Sequence, residues 1–153
     1  MIMARDPIPT WCFVLVVVRR GEEFLLVHER KHGQRWYLPA GRVEGGESFA
    51  AAACRETLEE SGVPVKLTGI IRVEHSPSRD AARLRVLFLA EPVGDTALKS
   101  TPDEESLGAA WVTLEELGQY ELRGREVSEL FAYVAAGGAV YPLSLLQPEG
   151  MPF

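Results

Sequence analysis

The sequence predicts an α/β (α+β) fold in which a mixed β-sheet lies between helices. Two observations carry that prediction. Apolar runs of strand length open the chain and return along it, and two helical segments interrupt them. The first segment, 48–61, is bracketed by a capping serine and a glycine. The second carries Val127, Leu130, Phe131 and Val134 at i, i+3, i+4, i+7, one face of an amphipathic helix. The 153 residues contain no repeat, low-complexity tract or linker. They suffice for one domain with a sizeable core, 1–153, preceded by a proline-containing flexible arm at 1–10.

The elements follow in order. Residues 12–18 are rich in valine and read as a central strand. A turn at 19–23 leads to a second strand, 24–28, paired with the first. Arg30, Lys31, His32 and Arg35 form a basic loop, read either as solvated or as contacting phosphate. Residues 36–38 form a short strand that Pro39 ends. After the first helix, 65–71 and 73–75 read as separate strands, 76–81 as a polar loop, 83–90 as a strand and 92–102 as a loop. An acidic cluster, Asp103, Glu104 and Glu105, precedes a short strand at 109–112. Thr113 with Glu116 predicts a capping box on a short helix. Gly137 and Gly138 end the last helix, and 141–146 is an apolar tail with loose residues after it. Trp11, Phe88 and Tyr141 are expected in the core, with stacking on a base as the alternative. Trp36 is expected as a core anchor.

The informative stretch is WYLPAGRVEGGESFAAAACRETLEESGV, from Trp36 to Val63. Ser48 is placed as N-cap and Gly62 as C-terminal cap. Glu56, Glu59 and Glu60 stand at i, i+3, i+4 and share one helix face, within an arc of about 100°. Like charges at that spacing repel, and Glu59 and Glu60 lie in the last turn, where the helix dipole disfavours anions. Arg55 offsets one of them at i, i+4. The remaining penalty calls for a cation, and a hard divalent ion bound by carboxylate oxygens would remove it. Ala50 to Ala53 let the helix pack closely. Gly41, Gly45 and Gly46 in the preceding loop allow close approach of backbone to a ligand.

These residues carry a family resemblance. Gly41, Glu47, Arg55-Glu56-Thr57, Glu59-Glu60 and Gly62-Val63 fall at the spacing of the Nudix box; the chain resembles the MutT-like Nudix hydrolases. Thr57 stands where the pattern prefers an aliphatic residue. WYLPAGRVEGGES, LKSTPDEESLGAAW and LRGREVSELFAYVAAGGAVYPLSLL are further similar to the branch that degrades 8-oxoguanine nucleoside diphosphates. The resemblance implies an α/β/α sandwich and a phosphohydrolase that cleaves the diphosphate linkage of a nucleoside diphosphate derivative, with an oxidised guanine nucleotide as one candidate. Hydrolysis of ADP-ribose, a nucleotide sugar or a dinucleoside polyphosphate is the alternative, and a non-catalytic nucleotide-binding module is a third reading. By the same resemblance Glu56, Glu59, Glu60 and the Gly41 carbonyl would hold Mg²⁺, with Mn²⁺ as a substitute. Glu47 and Arg55 would brace the loop against the helix. The general base would be Glu59 or Glu105. Arg30 and Arg42 are candidates for substrate contact.

Composition sets outer limits. A net charge of −6 argues against a general nucleic-acid-binding surface. A small phosphorylated substrate remains compatible, because a cation can supply local positive charge. Two cysteines, Cys12 and Cys54, fit a reducing, cytoplasmic setting without a disulfide framework. The apolar run 11–18 is too short to span a membrane. The expected partner is a small nucleotide, with neither nucleic acid nor membrane, and a homodimer is compatible because many relatives pair.

Overall fold

Strand β1, Thr10–Arg20, is the axis of the sheet. It turns at Gly21 into β2, Glu23–His28. The short strands β3, Trp36–Tyr37, and β4, Ala40–Arg42, precede helix α1, Phe49–Ser61. Then come β5, Val65–Pro77, β6, Ala82–Pro92, β7, Gly108–Val112, and helix α2, Glu126–Ala135. This is a computed structural model that describes residues 5–153. The arm expected at 1–10 lies partly outside the described residues, at 1–4. Within them Thr10 already belongs to β1, and the Pro9 carbonyl accepts from Ala82 N–H at 2.9 Å.

The seven-stranded sheet is mixed, as expected. Its path is β3-β2-β1-β6-β5; β4 also pairs with β1, and β7 with β2. Of the strand pairs among the described residues only β1 and β6 run parallel, from Thr10↔Ala82 to Val18↔Ala90. Alternation along β1 divides the core. Val14, Val16 and Val18 point to α1 and meet Ala52, Ala53, Val63 and Phe88. Leu15 and Val17 point to α2 and meet Phe24, Leu26, Leu87 and the four predicted residues Val127, Leu130, Phe131 and Val134. Phe24 stacks on Phe131 at 4.4 Å. Two helices on opposite faces of one sheet make the α/β/α sandwich.

Four expectations need correction. The two strands at 65–71 and 73–75 are one strand, because two register irregularities against β6, between Leu67 and Gly69 and between Ile70 and Arg72, absorb the break that the pattern suggested. Residues 40–42, read as loop, pair with β1 at Phe13↔Arg42, Val14↔Gly41 and Leu15↔Ala40. The short helix after Thr113 is a 3₁₀ turn, Glu115–Gln119, with half a capping box: Glu116 accepts from Thr113 N–H at 3.0 Å. Phe88 is buried, but Trp11 is 47% exposed and Tyr141 50% exposed, so neither is a core residue. Trp36 is half-buried, stacked on His28 and edge-on to Tyr120. Among the described residues no helix is long and apolar enough to cross a membrane.

Candidate active site

Helix α1 begins and ends as its sequence dictates. Ser48 Oγ accepts from Ala51 N–H at 3.0 Å. Gly62 takes a left-handed φ of 78° and its N–H reaches the Leu58 carbonyl. Ala52 and Ala53 are fully buried, so the helix sits close to β1. Thr57, the departure from the aliphatic pattern, is buried too, and its hydroxyl donates to the Ala53 carbonyl at 2.8 Å. Its polar atom is therefore satisfied inside the core.

The exposed side of α1 is organised by Arg55. Its Nε and Nη2 donate to the two Glu47 oxygens at 2.7 and 2.9 Å. Nη1 donates to Glu56 at 2.9 Å and Glu59 at 3.2 Å, and Nη2 also donates to the Arg42 carbonyl at 3.1 Å. One rigid guanidinium fork thus ties the loop, strand β4 and two of the three box acids together. The bond from Arg55, with help from Glu44 N–H, lowers the Glu47 carboxyl to about 2.

Glu60 behaves differently. Burial raises its carboxyl well above the usual carboxylate range, and the neighbouring Glu56 charge and the hydrogen bond shared with Glu56 push the same way. Glu56 is raised as well, chiefly by burial, with Arg55 opposing. Gly41 faces this pair. A Cβ built on it would lie 2.1 Å from Glu56 Cδ, so the carboxylate occupies the space a side chain would need.

A second layer closes the C-terminal end of α1. Lys99 Nζ donates to the Glu59 carbonyl and to Asp103, and Lys99 N–H donates to the Ser61 carbonyl at 2.8 Å. Buried Ser106 donates to the Glu60 carbonyl at 2.6 Å. Asp103 also accepts from Glu105 N–H at 2.8 Å, and these bonds, that from Lys99 first, lower its carboxyl to about 2. The loop that carries Glu105 is therefore pinned to the peptide groups of Glu59 and Glu60. Glu105 itself is exposed and has no ion-pair partner among the described residues. Arg30 donates to the Asp103 carbonyl at 2.9 Å, which makes it a support of this loop.

Beside the box, on the α2 face of the sheet, lies a cavity of about 220 Å³. Gly41, Arg42, Phe13, Tyr37, Arg83, Arg85 and Arg123 line it. Arg85 pairs with Glu74 and Glu126, and Arg123 with Glu29 at 3.0 Å. Arg42 and Arg83 have no carboxylate within salt-bridge distance among the described residues. Each instead lies over an aromatic ring, Arg42 over Trp11 at 4.7 Å and Arg83 over Phe13 at 4.8 Å. A chain of net charge −6 thus gathers four arginines around one small cavity. Of these, only Arg42 stands out in the sequence. The missed signal was the i, i+2 spacing of Arg83 and Arg85, which puts both on one face of β6. A larger, mainly apolar cavity of about 650 Å³, between β5, α2 and the C-terminal segment, holds Tyr133 and Tyr141 but none of the box acids.

Comparison with known proteins decides the family. The sequence model of the NUDIX domain matches residues 10–132. The chain belongs to the Nudix family. It is 36% identical over 148 residues to the 8-oxo-dGDP phosphatase NUDT18 of Mus musculus, covering 92% of this chain and 44% of that protein. It thus spans less than half the length of this relative. It is 31% identical over 144 residues to phosphatase NudJ of Escherichia coli, covering 92% of each. The fold is that of a Nudix hydrolase from Nitrosomonas europaea, with a TM-score of 0.74 and 28% identity over 93% of this chain and 99% of that one.

Whether the site suits the divalent cation common to Nudix hydrolases can be tested on the residues themselves. No group of three His, Cys, Asp or Glu side chains among the described residues stands arranged to hold a metal ion. Glu56 and Glu59 lean on Arg55 instead. The donor chemistry nevertheless fits: the candidates are oxygen atoms alone, two of the carboxylates are in contact at raised pKa, and a glycine leaves the backbone free to approach them. Binding a cation would favour the ionised form of Glu56 and Glu60.

Proposed function

We propose that this Nudix protein is a metal-dependent hydrolase that cleaves the diphosphate linkage of a nucleoside diphosphate derivative, with 8-oxoguanine nucleoside diphosphates as the foremost substrates. The observation that carries the reading is the junction of a complete box, braced by Arg55, with a cavity whose two unpaired cations are Arg42 and Arg83. The similarity to NUDT18 and NudJ supports the substrate class.

Glu56, Glu59 and Glu60 would hold the cation next to Gly41, with Mg²⁺ foremost and Mn²⁺ as a substitute. When bound, such an ion neutralises charge on phosphate oxygens and lowers the pKa of water. The chain does the rest. Arg42 and Arg83 bind the phosphate oxygens, and Arg85 and Arg123 extend that field. Arg55 and Glu47 hold β4 and its loop on α1, so the diphosphate meets a fixed backbone. Glu105 is the proposed base. Glu59 is engaged by Arg55, whereas Glu105 is free and its loop is anchored to the carbonyls of Glu59 and Glu60. The water oxygen bonds to a phosphorus of the diphosphate, the bond to the bridging oxygen breaks, and the water proton passes to Glu105. For a nucleoside diphosphate the products are the monophosphate and orthophosphate.

A substrate panel with product analysis tests this. It compares nucleoside di- and triphosphates, their 8-oxo forms, ADP-ribose and nucleotide sugars. Highest kcat/KM on an 8-oxoguanine nucleoside diphosphate, abolished by chelation and restored by Mg²⁺, is expected. No hydrolysis of any member with metal present would refute it. Glu105→Gln should lower kcat by about 10²–10⁴-fold, the usual contribution of general-base catalysis. Unchanged turnover would transfer that role to Glu59.

A further inference from the structure

We propose that Trp11 is the stacking platform for the substrate's aromatic base, with Arg42 beneath the ring as the cation that links base and phosphate recognition. The inference deepens the proposed function and rests on that reading of the cavity. Its starting point is an anomaly. An apolar run beginning with tryptophan should bury that residue, and β1 does bury Val14 to Val18. Trp11 instead presents 47% of its surface, and Arg42, the only cation on its ring among the described residues, is itself a wall of the 220 Å³ cavity.

Sheet register fixes where this exposed ring stands. Across the sheet, Arg42, Phe13, Arg85 and Glu74 form one row. Trp11 and Arg83 form the next row outward on the same face, two residues along β1. Gly41 pairs with Val14, so Trp11 lies three residues, about 10 Å, beyond the level of Gly41. The exposed aromatic face therefore stands about 10 Å from the level of Gly41, with Arg83 in its own row and the Arg42 guanidinium against its ring. A nucleoside diphosphate likewise carries its base a sugar's length from its diphosphate. A cavity of about 220 Å³ receives the phosphates and sugar, and the base projects to its rim. Every base has a π-face, so a tryptophan platform holds it without regard to its hydrogen-bonding edge, and the stacked guanidinium adds a second layer.

The test uses the full chain with two variants and three probes. With 8-oxo-dGDP, Trp11→Ala should raise KM about 5- to 150-fold, the range of one stacked base, while kcat changes less than about 2-fold. Trp11→Phe keeps a π-face and should recover most of the loss. A ribose diphosphate without a base should be turned over equally by wild type and Trp11→Ala. Nucleoside monophosphate should quench tryptophan fluorescence in wild type and much less in Trp11→Phe, which keeps Trp36 and Trp111. An unchanged KM in Trp11→Ala, or an equal loss on the base-free substrate, would overturn the platform. If the wild type hydrolyses no diphosphate, the proposed function falls, and monophosphate binding by wild type against Trp11→Ala still decides the platform: equal affinity rejects it.

Discussion

Gly41→Ala isolates the geometry of the box from its charge. Gly41 lies in a regular strand pair with Val14, and its φ is outside the left-handed region, so the backbone accepts alanine without strain. The obstacle is contact. The new Cβ would lie 2.1 Å from Glu56 Cδ, where ordinary contact begins near 3.4 Å, so the carboxylate must retreat by about 1.3 Å. It is the end of a flexible side chain, and Arg55 keeps its bonds to Glu47 and Arg42 when Glu56 moves. The stability cost should sit at the low end of overpacking, about 1 kcal/mol. For a chain of this size that is roughly 2–4 °C in Tm. Turnover should suffer far more, because a ligand displaced by about 1 Å loses on the order of 10²-fold in rate. The assay is kcat on 8-oxo-dGDP across a Mg²⁺ titration, with Tm measured in chelator. A variant with wild-type kcat and wild-type Mg²⁺ dependence would refute the reasoning, since Glu56 would then work equally well from a displaced position.

Three further outcomes are expected. Glu60→Gln should lower kcat by orders of magnitude, yet raise Tm in chelator at pH 8. The folded-state pKa of Glu60 lies above the unfolded value of about 4.3, so in wild type its ionisation costs stability as pH rises above that value. Equal Tm for the two proteins at pH 8 would contradict the buried acid. Glu47 has the opposite sign. Held at about 2 by Arg55, it contributes stability that is present above about 4.3 and lost as pH falls towards about 2. Glu47→Gln should flatten that acid limb in a Tm-against-pH series, and an unchanged limb would remove the Arg55–Glu47 pair from the account. Phe131→Ala, which deletes the ring stacked on Phe24, should cost about 3–5 kcal/mol in denaturant unfolding with KM unchanged. A loss below 1 kcal/mol would show that the α2 face collapses around the gap.

What could be read from the chain was what is decided locally. The caps of α1 depend on Ser48 and Gly62 and the residues within four positions of them, and both behaved as expected. The α2 stripe is a local period, and its four residues are buried. Strand β4 could not be read, because Ala40-Gly41-Arg42 has little strand propensity and pairs only because β1 runs alongside. The break expected near 72 failed for a similar reason: β6 tolerates two irregularities opposite β5, and the C-terminal segment packs on Gly69, whose missing side chain leaves room for Val140. The cavity is the extreme case. Arg42, Arg85 and Arg123 are far apart in sequence, and only sheet register and the loop before α2 bring them together.

On the sequence alone, the three acids of α1 stand against one arginine and call for an external cation. The folded chain answers part of that demand itself. Arg55 reaches Glu47, Glu56 and Glu59 at once, and Lys99 places an ammonium on the carbonyl of Glu59, at the end of the helix where the dipole is negative. Acids compensated in this way would suffice for a merely structural cluster. Glu60 is not compensated in this way: it is partly buried, no cation bonds to it among the described residues, and its contacts are another carboxylate and, at 3.4 Å, the N–H of Ala40. Placing a second acid against Glu56 is unfavourable for folding. A hard cation taking oxygens from Glu56 and Glu60 would turn that unfavourable pair into a ligand pair. The case for metal chemistry therefore rests less on the number of acids along α1 than on Glu60, the box acid that Arg55 does not reach.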